Sequence, residues 1–429
     1  MVTATVIAFV LMIGIMLIGI PIAVAMLLVG VGGGFLAFGM PFLNSMATVI
    51  WGVGNESLLT CIPLFVLLGE LLLRSGIADR MYVALSAWLA RMPGGLLHTN
   101  IGCCALFAAT SGSSVATAAT IGTVALPSLH QRGYSMREAL GSLAAGGTLG
   151  ILIPPSVNMI VYGSLTNNSI GKLFIAGVIP GILLTLCFMV YIFVSHAVRG
   201  QRTREQSIVL AERLRLLVNL VPPVVVFGVV MGSIYTGLAT ATESAALGVV
   251  IALALVGWSG KLSLELLKNC FQQTARISGM ILLIIATAFV LNVTISLTGV
   301  ADQLTKWVTS FGLSGMQMLF ALMVFYLILG MFMDVLSMQV ATIPLTYPIV
   351  TALGVDPIWY GIFIVLMCEL GLITPPVGMN LFVVHGVRPD KGSIEDAIWG
   401  ALPYALIMIL FTVFLMYVPQ VALWLPRKM

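Results

Sequence analysis

The chain contains one short motif twice: GILIPPSVNM at Gly150–Met159 and GLITPPVGMN at Gly371–Asn380. Pro127 and Gly133 lie upstream of the first copy at the same distances as Pro348 and Gly354 lie upstream of the second. Two halves of about 200 residues, each with an apolar segment broken by Gly and Pro, are typical of secondary transporters. The repeat therefore predicts a transporter whose site lies between the two halves.

The composition excludes a soluble protein. Hydrophobic residues make up 60% of the 429 residues and charged residues 8%, and the mean hydropathy is +1.13. Soluble domains carry about 25% charged residues, so most of this chain must face lipid or other helices. The sparse charges argue against nucleic acid as a partner. The six cysteines have no CxxC spacing, and no His and Cys set has the spacing of a transition-metal site.

Apolar runs of about 20 residues predict ten membrane crossings. They lie near 3–19, 21–40, 58–73, 138–163, 173–196, 217–235, 243–258, 274–297, 357–386 and 397–424. Two further apolar regions, about 97–127 and 313–350, are interrupted midway by Gly, Ser or Asp. A re-entrant helical hairpin fits both regions, because its broken tip can bury its loose backbone groups inside protein. The stretches 76–91 and 299–311 are expected to lie along the interface.

A basic linker at 198–215 separates a first repeat, 1–197, from a second repeat, 216–429. With this linker in the cytoplasm, fifteen of the nineteen lysines and arginines fall inside, in line with the positive-inside rule. Five crossings per half then invert the second repeat and place both termini outside. The expected fold is an all-α polytopic membrane protein with two inverted-topology repeats. Each repeat has one re-entrant hairpin and one Pro-Pro broken helix, 138–163 or 357–386.

The first hairpin tip reads TSGSSVAT at Thr110–Thr117. Hydroxyl groups and a glycine at a helix break expose the oxygen ligands that monovalent cations bind, and helix N-termini there can face an anion. Small-residue packing surfaces between membrane helices have the same pattern. That alternative stays open from the sequence alone.

The proline pairs, Pro154-Pro155 and Pro375-Pro376, are the second signal. Each pair removes two amide donors and frees the preceding carbonyls. In hydrocarbon such groups are costly unless protein, water or an ion satisfies them. A structural kink explains one break, but two breaks in register with the repeat favour paired sites. Side-chain oxygens near these breaks belong to Thr148, Ser156, Asn158, Thr374 and Asn380.

Three acidic residues lie in apolar segments. Asp334, in the second hairpin, is expected to be a cation ligand or proton carrier, unless it simply caps a helix. Glu70 is explained by pairing with Arg74 at i+4. Glu369 has no local partner and is expected to shape the second break.

An enzyme is not expected. Gly112-Ser113 with His98 or His385 would suit an intramembrane serine hydrolase, but the hairpin explains the serine, and hydrolysis gives no reason for a twofold repeat. The chain lacks a Gly-x-x-x-x-Gly-Lys-Ser/Thr motif, so ATP hydrolysis is not expected either. We expect no cofactor. A non-transporting scaffold or proton-channel subunit is a further alternative.

Several segments together resemble the large membrane subunit of tripartite ATP-independent periplasmic (TRAP) transporters. They are ATSGSSVATAATIGTVALP at 109–127, GTLGILIPPS at 147–156, TATES at 240–244, GMFMD at 330–334 and GLITPPVGMNLFV at 371–383. The resemblance covers essentially the whole chain. It implies an elevator-type transporter of the bacterial inner membrane, where the outside is the periplasm, with sodium as the coupling ion. It also implies a separate small four-helix membrane subunit and a periplasmic binding protein that delivers an organic acid.

The resemblance further implies two sodium sites, and we expect the substrate between the two hairpin tips. The first sodium site is expected at Ser111, Ser113 and Ser114 with carbonyls of Gly150, Ile153 and Pro155. The second is expected at Gly330, Asp334, Gly371, Thr374 and Val377. The substrate carboxylate is expected at Thr148, Ser156, Asn158 and Asn380. Sialic acid, a C4-dicarboxylate, a 2-keto acid and ectoine stay open as solutes, and a stand-alone sodium/dicarboxylate symporter is the nearest alternative.

Overall fold

The computed structural model describes residues 2–200 and 209–428. Within these ranges the chain forms helices joined by short turns, and no β-strand occurs. The first ten helices are α1 (Val2–Leu17), α2 (Ile22–Phe38), α3 (Met40–Gly54), α4 (Cys61–Arg74), α5 (Ile77–Leu89), α6 (Leu96–Ser111), α7 (Ser114–Gln131), α8 (Met136–Leu152), α9 (Val157–Thr166) and α10 (Ile170–Val198). The others are α11 (Leu210–Leu216), α12 (Val221–Tyr235), α13 (Ala241–Trp258), α14 (Leu264–Leu297), α15 (Val300–Ser310), α16 (Gly315–Gly330), α17 (Val335–Ala352), α18 (Pro357–Ile373), α19 (Met379–Gly386), α20 (Glu395–Tyr417) and α21 (Gln420–Leu423).

Eight of the described helical segments are long and apolar enough to cross a membrane. A ninth results if α15 and α16, which are bent by 115° relative to each other, are counted as one span. Outward-facing side chains such as Leu36, Leu238 and Trp258 are more than four-fifths exposed, as a surface in lipid requires. The chain is therefore an all-helical polytopic membrane protein, and this part of the sequence prediction is confirmed.

Three details differ from the sequence prediction. The described residues form eight or nine segments that can cross a membrane, rather than the ten predicted crossings. Helix α3 is not predicted, because its 15 residues are too short for a crossing and contain Asn44 and Ser45. The predicted linker also contains α11, where the Arg213 carbonyl accepts a hydrogen bond from Trp88 Nε1 at 3.3 Å. Residues 201–208 of that linker lie outside the described residues. The division into two repeats at this point stays a prediction.

Two groups of four helices, α6–α9 and α16–α19, follow the same order along the chain. In each group two helices meet at a short break, and a third helix ends at a Pro-Pro pair before the fourth begins. The two Pro-Pro peptide bonds are cis. The groups interlock, because α8 packs against both α18 and α19 and α7 packs against α19. Both proline breaks therefore belong to one packed core.

Helices α8 and α18 form the centre of this core. Every side chain from Trp359 to Ile373 is buried, and so is every residue from Ala139 to Leu152. Glycines permit the closest crossing: a Cβ on Gly141 would overlap the carbonyl group of Gly400 in α20. Because membrane helices associate through close packing rather than through the hydrophobic effect, such backbone contacts position the breaks.

Arg388 holds the turn between α19 and α20. Its side chain is 3% exposed, and it donates to Asp390 at 2.5 and 2.8 Å, to Asp396 at 3.0 Å and to the Ser393 carbonyl at 2.6 Å. The guanidinium lowers the pKa of Asp390 to about 2. A carboxyl with a lowered pKa stabilises the folded state while it is ionised. This contribution is therefore present at neutral pH and lost as the pH falls towards 2.

We expect Arg388→Ala to lower the free energy of unfolding by about 1–2 kcal/mol at neutral pH, because it removes several charge-assisted hydrogen bonds near the surface. Thermal melting in detergent measures the change, with Arg276→Ala, an exposed arginine of α14, as the control. The difference from wild type should narrow as the pH falls from about 4 to about 2. Equal melting temperatures at neutral pH would contradict this prediction.

Candidate functional site

The first helix break lies between α6 and α7. After Ser111, Gly112 adopts a left-handed backbone with φ 61°, a conformation that glycine takes without steric cost. Ser113 then caps α7, and its hydroxyl accepts from the Ala116 amide at 3.4 Å. The hydroxyl oxygens of Ser111 and Thr117 are 2.8 Å apart. The break thus groups hydroxyl oxygens at the start of α7.

This first tip, Ser111–Ser114, packs against the first proline break. Ser114 Oγ donates to the Thr148 carbonyl at 3.2 Å. Two glycines allow the close approach: a Cβ on Gly150 would lie 2.7 Å from Ser113 O, and one on Gly112 would lie 2.8 Å from Pro155 O. Tip and break therefore meet through backbone atoms.

The second tip, Met331–Asp334, packs against the second proline break in a similar way. A Cβ on Gly330 would lie 2.8 Å from the Cα of Gly371, and a Cβ on Gly371 would lie 2.9 Å from the Cα of Gly330. The Val377 amide donates to the Met331 carbonyl at 3.2 Å. The Thr374 hydroxyl donates to a carbonyl of its own helix at 2.6 Å. The same kind of glycine contact thus joins tip and break in both groups.

Asp334 caps α17. Its Oδ2 accepts from the Ser337 amide at 3.1 Å, and its Oδ1 accepts from the Ser337 hydroxyl. The residue is exposed, which agrees with the capping role that the sequence left open. Each carboxylate oxygen still has a lone pair that a cation can use.

A cavity of about 260 Å³ lies between the two tips. Its polar lining comes from Ser111, Ser113, Ser114, Asn158 and Asp334. The Asn158 side chain is nearly buried, at 4% exposure, and makes no hydrogen bond within residues 2–200 and 209–428. Its amide is therefore free to bind a ligand in the cavity.

Glu70 of α4 also lines this cavity, and sequence reasoning did not place it there. Its carboxylate pairs with Arg74 at 3.1 Å, as the i+4 spacing predicts. Gly69 brings α4 close to the first tip, because a Cβ there would lie 3.1 Å from Ser111 O. A glycine directly before a glutamate in an apolar helix is the sequence signal for this contact.

Three of the predicted substrate residues, Thr148, Ser156 and Asn380, are fully buried and do not line the cavity. The Thr148 hydroxyl donates to a carbonyl of its own helix at 2.7 Å. Ser156 caps α9, accepting from the Met159 amide at 3.4 Å. Asn380 donates to the Ala144 carbonyl at 3.1 Å, while its Oδ1 has no partner in the part of the chain described. Their assignment to the substrate stays a prediction.

The other predicted sodium positions lie in or beside the two proline breaks rather than on the cavity wall. They are Gly150, Ile153, Pro155, Gly330, Gly371, Thr374 and Val377. Apolar side chains complete the wall, among them Val115, Leu336 and Met280. The structure thus brings both tips to one cavity and places the backbone of both breaks behind them.

The fold is similar to that of a transporter of known structure. The Alcanivorax borkumensis YdaH transporter superposes with a TM-score of 0.62 at 14% sequence identity, covering 96% of this chain and 98% of that chain. At this identity the likeness concerns the fold alone. It defines the class of fold as that of a polytopic helical membrane protein.

Sequence comparisons identify the family. The family model described as the DctM component of tripartite ATP-independent periplasmic transporters matches residues 9–421. The C4-dicarboxylate TRAP transporter large permease protein DctM of Pseudomonas aeruginosa is 35% identical over 394 residues, covering 91% of each chain. The protein of the same name from Vibrio cholerae is 32% identical over 447 residues, covering 99% of this chain and 97% of that protein. The chain belongs to this family of TRAP transporter large permeases.

The chain is therefore a substrate-importing, multi-pass subunit of the inner membrane and not an enzyme. The family predicted from the motifs is confirmed. The stand-alone symporter is not favoured, because the matching family is the component of a tripartite system.

Proposed function

We propose that this permease imports an organic acid together with sodium, and that the solute binds in the cavity between the two tips. The observation that carries the proposal is the composition of this cavity. It combines the serine hydroxyls of the first tip, the Asn158 amide and the Asp334 carboxylate. These groups come from distant parts of the chain and point to one small volume.

Sodium is the proposed coupling ion because the ligands at both breaks are oxygens. Unwound backbone at a membrane helix break typically coordinates sodium through its carbonyls. The Ser113 carbonyl lies against Gly150, and the Gly330 backbone lies against Gly371. One ion at each contact would satisfy carbonyls that the proline pairs leave without helical partners.

The proposed substrate is a small carboxylate. The start of α7 lines the cavity, and the N-terminus of a helix attracts anions through its free amides and dipole. No arginine lines this cavity within the described residues, so hydroxyl, amide and backbone groups would bind the carboxylate. Two relatives are named for C4-dicarboxylates, which makes a dicarboxylic acid the favoured solute.

The proposed mechanism is elevator-type movement. We interpret α6–α7 and α16–α17 as the re-entrant hairpins of two inverted repeats. Because α8 packs against α18 and α19, the two groups would move as one transport domain. Helices with exposed apolar faces, such as α12 and α13, would belong to the static scaffold.

The proposed partners follow from the tripartite family. A small four-helix membrane subunit would bind the scaffold, and a periplasmic binding protein would deliver the solute. With the basic linker in the cytoplasm, both termini of the permease lie in the periplasm.

Asp334→Asn tests the sodium proposal. Asparagine caps a helix as well as aspartate does, so the variant keeps the cap and removes the charge. We expect the sodium concentration that gives half-maximal uptake to rise about tenfold, which corresponds to about 1.4 kcal/mol. Uptake is measured in proteoliposomes with the small subunit and binding protein present.

Asp302→Asn is the matched control, because Asp302 is an exposed aspartate in the first turn of α15. Unchanged sodium dependence in Asp334→Asn would remove Asp334 from the site. Wild-type uptake that is equal in sodium, potassium and choline salts would refute sodium coupling altogether.

A further inference from the structure

A second cavity, of about 320 Å³, lies where α8 begins, α10 ends and α20 begins. We call it the basic cavity. The side chains of its wall that matter here are Arg137, Glu138, His196, Arg199, Trp399 and Tyr404. It shares no residue with the cavity between the two tips. The basic cavity is therefore separate from the proposed transport site.

The charges of the basic cavity do not cancel. Both oxygens of the Glu138 carboxylate are engaged, because Oε1 lies 2.6 Å from Arg199 Nη1 and Oε2 lies 3.4 Å from His196 Nε2. Arg137 forms no ion pair within residues 2–200 and 209–428. Its guanidinium carbon lies 5.8 Å from the centre of the Trp399 ring. Two arginines and one glutamate leave a net charge of +1 when His196 is neutral.

Further hydrogen-bond donors face the basic cavity. Tyr404 is 3% exposed, and its hydroxyl is close enough to Glu138 to interact with it but makes no hydrogen bond in the described part of the chain. Ser135, the residue before α8, makes no side-chain cap, so the first amides of α8 have no capping partner among the described residues. Free amides and the dipole at a helix start attract anions. These donors add to the two guanidinium groups, so the cavity suits an anion.

The depth of the basic cavity corresponds to the level of lipid headgroups. Arg137 lies about 22 Å along α8 from Leu152, where the first proline break begins. Broken helices that form a transport site lie near the midplane of the bilayer, and this placement rests on the proposed function. A bilayer with its headgroups is about 40–45 Å thick, so each surface lies about 20 Å from the midplane. The cavity therefore lies where the phosphates of one leaflet are found.

Apolar faces of α10 and α20 lead from the basic cavity into the membrane. The side chains that are about half exposed on these faces are Val190 and Val194 of α10, and Trp399, Leu402 and Leu406 of α20. Trp399 lines the cavity, and Val194 is next to Ser195, which also lines it. The two helices meet at Tyr404, whose ring centre lies 5.1 Å from that of Tyr191. A charged head and long apolar chains thus have adjoining surfaces.

We propose that the basic cavity binds the phosphate of an anionic phospholipid. Arg137 and Arg199 bind the phosphate oxygens, the Tyr404 hydroxyl donates to one of them, and the acyl chains lie along α10 and α20. Arginine suits this role because its planar set of donors matches the oxygens of a phosphate. A zwitterionic lipid has no net charge to balance the cavity, so an anionic headgroup is preferred. Basic pockets between membrane helices are a known type of lipid site.

Native mass spectrometry of the full-length permease in detergent tests the proposal. The permease is titrated with dioleoyl phosphatidylglycerol, or with dioleoyl phosphatidylcholine, which has the same acyl chains and no net charge. We expect saturable and tighter binding of the anionic lipid. Arg137→Gln should raise its apparent Kd about tenfold, because a charge-assisted hydrogen bond is lost. The control is Arg276→Gln, at an exposed arginine of α14, which should bind as wild type does.

Tyr404→Phe gives a second test that leaves the packing of the ring in place. It removes only the hydroxyl and should raise the apparent Kd of the anionic lipid about fivefold. Unchanged affinity in either variant would overturn the proposal, because each variant lacks one donor to the phosphate. Equal affinity of wild type for the two lipids would also overturn it.

Inorganic phosphate distinguishes a lipid site from a site for a free anion. We expect millimolar inorganic phosphate to leave the bound phosphatidylglycerol in place, because the acyl chains contribute to binding. Displacement of the lipid by inorganic phosphate would overturn the proposal in favour of a free anion. These measurements contain neither sodium nor solute, so their outcome is independent of whether sodium drives uptake.

Discussion

Gly150→Ala is expected to reduce uptake about tenfold or more, because overpacking of this kind costs about 1–3 kcal/mol. The added methyl would lie 2.7 Å from Ser113 O and 2.8 Å from Ser114 Cα, and both are backbone atoms that cannot rotate away. The first tip must move away from the proline break, which breaks the bond from Ser114 to the Thr148 carbonyl. Initial uptake rates in proteoliposomes measure the loss.

Gly279→Ala is the matched control for this substitution. Gly279 also lies within a membrane helix, α14, and a Cβ there meets nothing within 4 Å. Alanine is the better helix former by about 1 kcal/mol, so the control should be as stable as wild type or slightly more stable. Wild-type uptake in Gly150→Ala would show that the closed contact between tip and break is not needed for transport.

Gly141→Ala is expected to destabilise the fold by about 3 kcal/mol, at the upper end of what overpacking usually costs. A Cβ at this position overlaps the carbonyl group of Gly400 and lies 2.7 Å from its Cα. The main chains of α8 and α20 must separate to accommodate it. Thermal melting in detergent, read by tryptophan fluorescence, measures the change.

Gly232→Ala in α12, where a Cβ meets nothing within 4 Å, controls for the change of residue type. Gly400→Ala should reproduce the loss, because its Cβ would overlap the Arg137 carbonyl. A melting temperature of Gly141→Ala equal to that of wild type would contradict this prediction, because α8 and α20 would then have room for the added methyl group.

Much of the helical layout could be predicted from the sequence, because lipid imposes strong rules on the residues it contacts. Apolar length predicts the spans, and glycine, serine and proline mark where helices break. The predicted tip regions, 97–127 and 313–350, correspond to α6–α7 and α16–α17 within four residues at each end. Apolar length does not predict helix α3, because this helix is short and partly polar.

The cavity was predicted less completely, because its composition depends on packing between distant helices. Ser113, Asn158 and Asp334 line it, and each is in a motif with a recognisable break. Ser156 and Asn380 are in the same motifs, yet their side chains are buried away from the cavity. Ser156 caps α9, and Asn380 donates a hydrogen bond to a carbonyl of α8. Spacing alone does not distinguish these two outcomes. Whether a residue at a break faces inward is decided by the helices that pack around it.

The lack of a side-chain partner for Glu369 could not be predicted from the sequence either. A missing local partner is visible along the chain, but a partner from another helix is not. The structure shows that the helices around α18 supply none in the described residues. The expectation that Glu369 shapes the second break stays a prediction.

The contacts between tips and proline breaks have a consequence for how such permeases diversify. Tip and break meet through glycine and main-chain atoms at Gly150 and at Gly330 and Gly371, whereas side chains such as Val115 and Leu336 make up the wall of the cavity. Substitutions on that wall leave the main-chain contacts untouched. The side chains of the proposed solute site can therefore change during evolution, or by engineering, while the packing of each tip against its break is kept.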